Sequence, residues 1–160
     1  MQLGNQVEWV LHCCSILASM PAESHVSTKD LAEFHGVPKE YLSKALQSLA
    51  QAGLVASTLG PSGGYRLNRP PKDISFLDIV EAVEGRRSTF QCTEIRRNNP
   101  CRKKDQRDKG VCAIAGVMHK ADEAWRKELR AMNLEMLGKR VAADVDPALL
   151  EKGVRWFSSP

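Results

Sequence analysis

No run of about 18 apolar residues occurs anywhere in the 160 residues, so no membrane-spanning helix is expected. A secretory leader is not expected either, because the apolar stretch nearest the N-terminus carries Glu8 and His12 within it. Both absences predict a cytoplasmic protein with no membrane partner. Aromatic residues are scarce at 6%, so a core must come from aliphatic side chains. The chain has no Walker loop, no nucleophile elbow and no paired carboxylates, which argues against an enzyme and against a small-molecule substrate. Repeats and low-complexity tracts are also lacking. The five cysteines are odd in number and include no C-x-x-C. A reducing cytosol disfavours a disulfide framework, and the spacing C-x8-C-x10-C of Cys92, Cys101 and Cys112 fits neither a zinc ribbon nor a ferredoxin.

What is present centres on residues 27–69, which read as a winged helix-turn-helix. Ser27-Thr28-Lys29-Asp30 has capping-box spacing, Leu31 and Phe34 recur at helical spacing, and Gly36 offers a stop. Pro38 suits the first position of a second helix, whose buried stripe is Leu42, Ala45, Leu46 and Leu49. The opposite face presents Lys39, Ser43, Lys44, Gln47 and Ser48, side chains able to read base edges or hold phosphates. A strand at residues 54–59, a turn at Gly60-Pro61-Ser62-Gly63-Gly64 and a strand at 65–67 complete a wing. Gly63 and Gly64 are expected to supply positive φ at its tip. Arg66 and Arg69 flank the second strand and suit a backbone phosphate or a narrow minor groove. A double-stranded DNA operator is therefore the expected partner.

Around this unit the fold reads as mainly α with a small β-hairpin wing. Residues 4–20 form a first helix with Val7, Val10, Leu11, Cys14 and Leu17 on one stripe. Cys13 and Cys14 read as core filler. Ser75 caps a helix ending at Gly85 that looks like packing alone. Residues 113–137 predict one long helix, ended by Gly138, whose apolar rhythm from Ile114 to Met136 wants a partner; a homodimer is the commonest solution. Asp146-Pro147 opens a last short helix, with Val154, Trp156 and Phe157 docking on the body. The organisation is thus 1–85 DNA-binding, 86–112 a cysteine-bearing loop, and 113–160 a dimerisation helix with a docked tail.

The formal net charge is +4, and the same excess recurs between Cys92 and Cys112, where seven Lys or Arg face Glu94, Asp105 and Asp108. Three thiols in such a loop suit a metal or cluster, since nearby cations favour the thiolate. Glu8 and His12 lie one helical turn apart; spacing alone reads them as a weak surface pair. A cluster-free thiol switch and a zinc-stabilised adaptor protein remain as rivals.

Tyr41-Leu42-Ser43-Lys44, Gly53-Leu54-Val55, the wing 60–65, Asp78-Ile79-Val80-Glu81-Ala82-Val83 and three cysteines before a long helix together resemble the Rrf-two family of bacterial transcription regulators. Leu59 departs from the arginine that many members carry there, and Ala115 stands where one cluster-binding type has a histidine. Val7-Glu8-Trp9, Leu11-His12-Cys13-Cys14 and Cys92-Thr93-Glu94-Ile95-Arg96 resemble its redox-sensing, RsrR-like branch. That resemblance implies an iron–sulfur cofactor, a 2Fe–2S cluster, held by Glu8 and His12 of one subunit and two loop cysteines of the other. Cys101 and Cys112 are the expected thiolates, with Cys92 as the alternative.

Overall fold

The computed structural model describes residues 2–103 and 107–158. The first helix, α1 (Asn5–Ser19), buries Val7, Val10, Cys13, Cys14 and Leu17. Both cysteines are fully buried, and burial pushes the Cys13 thiol up to about 12 and that of Cys14 higher still, so they are inert core. Helices α2 (Thr28–His35) and α3 (Lys39–Gln51) form the expected helix-turn-helix. Ser27 Oγ accepts from the Asp30 amide, and Gly36 adopts the left-handed conformation at the other end of α2. Pro38 sits one residue earlier than expected, as the N-cap of α3 rather than its first residue.

The wing consists of β1 (Val55–Thr58) and β2 (Gly64–Leu67), antiparallel with Val55 opposite Leu67 and Thr58 opposite Gly64. Val26 and Tyr65 exchange both backbone hydrogen bonds, at 2.9 and 2.8 Å, tying the wing to the chain that enters α2. The expectation of positive φ at Gly63 and Gly64 is corrected: Gly60 carries it, at 106°. Gly63 and Gly64 are required sterically, because a Cβ there would overlap the Thr58 and Val26 carbonyl oxygens.

Helix α4 (Phe76–Glu84) begins with a complete Ser75/Asp78 capping box. Ser75→Ala is expected to cost about 1 kcal/mol, read as a lower urea midpoint at unchanged slope. The single helix expected over 113–137 divides into α5 (Ala113–Ala131) and α6 (Leu134–Asp144), and Gly138 lies inside α6 rather than ending a helix. Asn133 Oδ1 caps α6 by accepting from the Met136 amide at 2.8 Å. The break is also pinned by Phe76 N–H to Met132 O at 2.9 Å and Leu134 N–H to Ile74 O at 3.1 Å. These three hydrogen bonds outweigh a three-four apolar rhythm at this point. Helix α7 (Pro147–Ser158) docks as expected, with Phe157 and Trp156 at 4.7 and 5.2 Å from the Phe34 ring. The core joins α1, α3, α4 and the start of α6 through Val10, Leu42, Leu46, Leu49, Ile79 and Leu134. Among the described residues, no helix is long and apolar enough to cross a membrane.

Candidate DNA-reading face and cysteine loop

Burying Leu42, Ala45, Leu46 and Leu49 turns the other face of α3 outward. Lys39, Lys44 and Gln47 are exposed and Ser43 is half-buried, so their donors and acceptors lie on an open helix face. Ser48 instead donates to its own helix, at Lys44 O, 3.2 Å. Arg66 donates to Leu67 O and Arg69 to Ala52 O, both at 3.4 Å. Those long single bonds steady the two guanidiniums beside the wing while using one of five N–H groups each. At the wing tip Leu59 is fully exposed.

Loop residues 86–112 are organised by charge. A short 3-10 turn (Ile95–Asn98) follows Glu94, whose φ of 56° is the one positive value outside glycine among the described residues. Arg96 donates to Glu94 at 2.6 Å and to Gly110 O at 2.9 Å, closing the two ends of the loop. Asp108 receives Arg102 at 3.1 Å and Arg97 at 3.4 Å, with Arg96 at 3.8 Å. Part of the basic excess is therefore consumed inside the loop. Lys104 and Asp105, counted in that excess, lie outside the described residues.

Cys112 is the N-cap of α5. The Ala115 amide, the Ile114 amide and the Arg96 guanidinium hold its thiol below the ordinary range, and the neighbouring Cys92 side chain acts in the same direction. Cys92 and Cys112 are both half-buried, whereas Cys101 is exposed, its amide turned to Asn99 Oδ1 at 2.9 Å. The loop thus sets Cys92 beside Cys112, while Cys101 is exposed. In apoprotein, iodoacetamide is expected to label Cys112 well before Cys13 or Cys14, as peptide mapping of a timed reaction would read.

Glu8 and His12 are both exposed on α1. The His12 ring lies 5.7 Å from that of His35, whose pKa is lowered first by burial and then by His12. Among the described residues, no three His, Cys, Asp or Glu side chains gather closely enough to hold a metal ion. The candidate donors form two separate pairs, Glu8 with His12 and Cys92 with Cys112.

Residues 3–140 match the family described as Rrf2, iron-dependent transcriptional regulator. The chain belongs to the Rrf2 family. It is 33% identical over 118 residues to protein rrf2 of Nitratidesulfovibrio vulgaris, covering 74% of each chain. It is 27% identical over 141 residues to the HTH-type transcriptional regulator NsrR of Halalkalibacterium halodurans, covering 86% of this chain and 90% of that one. The structure of CymR, the global cysteine regulator of Bacillus subtilis, superposes with a TM-score of 0.69 at 24% identity, over 88% of this chain and 98% of that one. At that identity the likeness speaks for the fold. As an Rrf2-family protein, the chain is a transcriptional regulator whose relatives are regulators and not enzymes.

One feature of this Rrf2-family chain escaped sequence reasoning and another stood there only as the alternative. The Cys92–Cys112 pair, set second to Cys101–Cys112 from the sequence, brings together residues 20 apart along the chain, and no spacing rule ranks it first. Helix α4, read as packing alone, also carries Glu81, which accepts from Arg126 at 2.6 Å and Arg86 at 3.0 Å.

Proposed function

We propose that this regulator is a homodimer whose operator affinity answers to a 2Fe–2S cluster. Glu8 and His12 of α1 in one subunit and Cys92 and Cys112 of the loop in the other would hold it. Support comes above all from the Cys92–Cys112 contact at the N-terminus of α5, where two amides and Arg96 favour a thiolate. Cys92 is assigned in place of Cys101 because its side chain lies beside Cys112 and helps to favour the thiolate there, while Cys101 is exposed. Among the described residues of one chain no three candidate donors gather, which is consistent with two subunits completing each set. Bound there, the cluster would supply a one-electron change of charge, and an imidazole in place of a thiolate raises its potential. The chain's own residues do the rest. Lys39, Arg66 and Arg69 hold phosphates, and Ser43, Lys44 and Gln47 read base edges in successive major grooves.

The deciding measurement is the absorption spectrum of anaerobically purified protein, with iron and acid-labile sulfide assayed on the same sample. Visible bands with equal iron and sulfide are expected. A colourless, iron-free protein that still binds its operator would overturn the reading. The same contact also favours a second reading, a cluster-free switch in which peroxide oxidises Cys112 and Cys92 resolves it to a disulfide.

Leu59 bears on affinity whichever signal operates. An apolar side chain at the wing tip neutralises no phosphate. Leu59→Arg is expected to steepen the dependence of log Kobs on log salt by about one per subunit, measured by fluorescence anisotropy.

A further inference from the structure

We propose that the cleft between α1, α2, α6 and α7 is a binding site for a small organic anion with a flat, largely apolar body. The site stands apart from the cluster reading, since His12 is the one candidate cluster ligand in its lining.

The cleft encloses about 960 Å³, at the upper end of the range for small-molecule pockets. Ile16 of α1, Val145 at the end of α6 and Leu150 of α7 supply aliphatic walls. Phe34 closes one side, with the Phe157 ring at 4.7 Å and the Trp156 ring at 5.2 Å. Those rings pack on one another yet leave Phe34 39% and Trp156 41% exposed. An open aromatic surface takes a flat molecule by stacking, and this one lies where the helices meet without filling the space between them.

Two glycines keep that space open. Gly138 and Gly153 both line the cleft and both lie inside helices, where glycine is less stable than alanine. Neither has a positive φ that would call for glycine. A Cβ at Gly138 would meet nothing within 4 Å, and one at Gly153 only Phe34 Cζ at 3.8 Å. No neighbour in the chain therefore requires either side chain to be missing. What the two absences preserve is room for something from outside the chain.

Polar groups are few, which narrows the kind of occupant. His35 belongs to the lining, and its Nε2 is buried with no hydrogen-bond partner among the described residues, a need that a ligand group can meet. At the rim Lys139 is engaged by Glu135 at 3.0 Å, whereas exposed Lys152 has no ion-pair partner among the described residues. One unengaged cation beside apolar and aromatic walls suits a single negative group on a flat body. Phe34 and His35 end α2, the first helix of the helix-turn-helix, so the occupant touches the DNA-reading unit itself.

The test titrates the full chain with 8-anilinonaphthalene-1-sulfonate, followed by fluorescence, and with uncharged N-phenyl-1-naphthylamine, which keeps the rings and lacks the sulfonate. Saturable binding of the anion at about one probe per chain is expected. Gly138→Leu puts a side chain into the cleft and a better helix former into α6, so it should weaken binding about tenfold or more while the melting temperature holds or rises. Lys152→Gln should weaken the anion several-fold and leave the uncharged probe unchanged. Non-saturable binding, or an affinity unmoved by Gly138→Leu, would overturn the site. A Lys152→Gln effect shared equally by both probes, or seen with neither, would overturn the anionic class. Should no probe bind while Gly138→Leu weakens self-association in analytical ultracentrifugation, the cleft is an interface between copies and the proposal fails.

Discussion

Cys112→Ser and Cys92→Ser are each expected to abolish the visible absorption and the bound iron of anaerobically purified protein, while Cys101→Ser leaves both unchanged. Serine keeps the shape of the side chain but is not ionised near neutral pH, so it cannot replace a thiolate donor. The asymmetry among the three follows from local structure. Cys112 is the N-cap residue of α5, where the Ala115 and Ile114 amides favour its thiolate, Cys92 lies beside it, and Cys101 is exposed beside Asn99. None of the three is part of the core, so circular dichroism and thermal melting should stay near wild type. Glu8→Ala and His12→Ala are expected to change the spectrum or the redox response instead, again with the fold intact, since both side chains are exposed. Iron retained in Cys92→Ser but lost in Cys101→Ser would return the second thiolate to Cys101. Spectra unchanged in both Glu8→Ala and His12→Ala would remove α1 from the site.

How far the sequence spoke for itself depends on the range of the signal. The winged helix-turn-helix was legible because its marks are local: a cap at Ser27, a left-handed stop at Gly36, a buried stripe at every third or fourth residue of α3. The wing was legible as a hairpin, but its glycines were assigned the wrong reason. Close approach of Val26 and Thr58 to the wing backbone is tertiary, and composition cannot distinguish it from a need for positive φ. The long helix failed for a related reason. Its apolar rhythm continues through Met132 and Met136, and only pairing with residues 74–76 reveals that the chain must break there. In the loop, a count of charges found a basic excess but could not foresee that Arg96, Arg97 and Arg102 turn inward on Asp108. Arg96 also closes the loop onto the Gly110 carbonyl, two residues before Cys112. Spacing reports neighbours along the chain, and this site is made of neighbours across a closed loop.

Arg126→Met is expected to destabilise the protein by about 2 kcal/mol and, with larger consequence, to uncouple loop and recognition helix. Its guanidinium donates to Glu81 of α4 at 2.6 Å, to Asp122 of α5 at 3.0 Å and to the Arg87 carbonyl of the loop at 2.6 Å. Asp122 in turn accepts from the Thr89 amide at 3.3 Å. Loop, α5 and α4 therefore meet at one side chain that is only 14% exposed. Helix α4 packs on α3, so a shift of the loop held through Arg126 reaches the DNA-reading face within one further helix. Methionine keeps the apolar stem beside Trp125 and removes every donor, leaving Asp122 without its strongest partner and Glu81 with exposed Arg86 alone. The readout is the ratio of operator affinities in oxidised and reduced protein, because a coupling free energy is a difference between two states and not a property of either. That ratio should fall toward one in Arg126→Met, while Arg86→Met, which alters an 85% exposed side chain on the same carboxylate, should leave it near the wild-type value. A preserved ratio in Arg126→Met would mean that the signal reaches α3 by another route, and Arg126 would then be a staple between helices and nothing more.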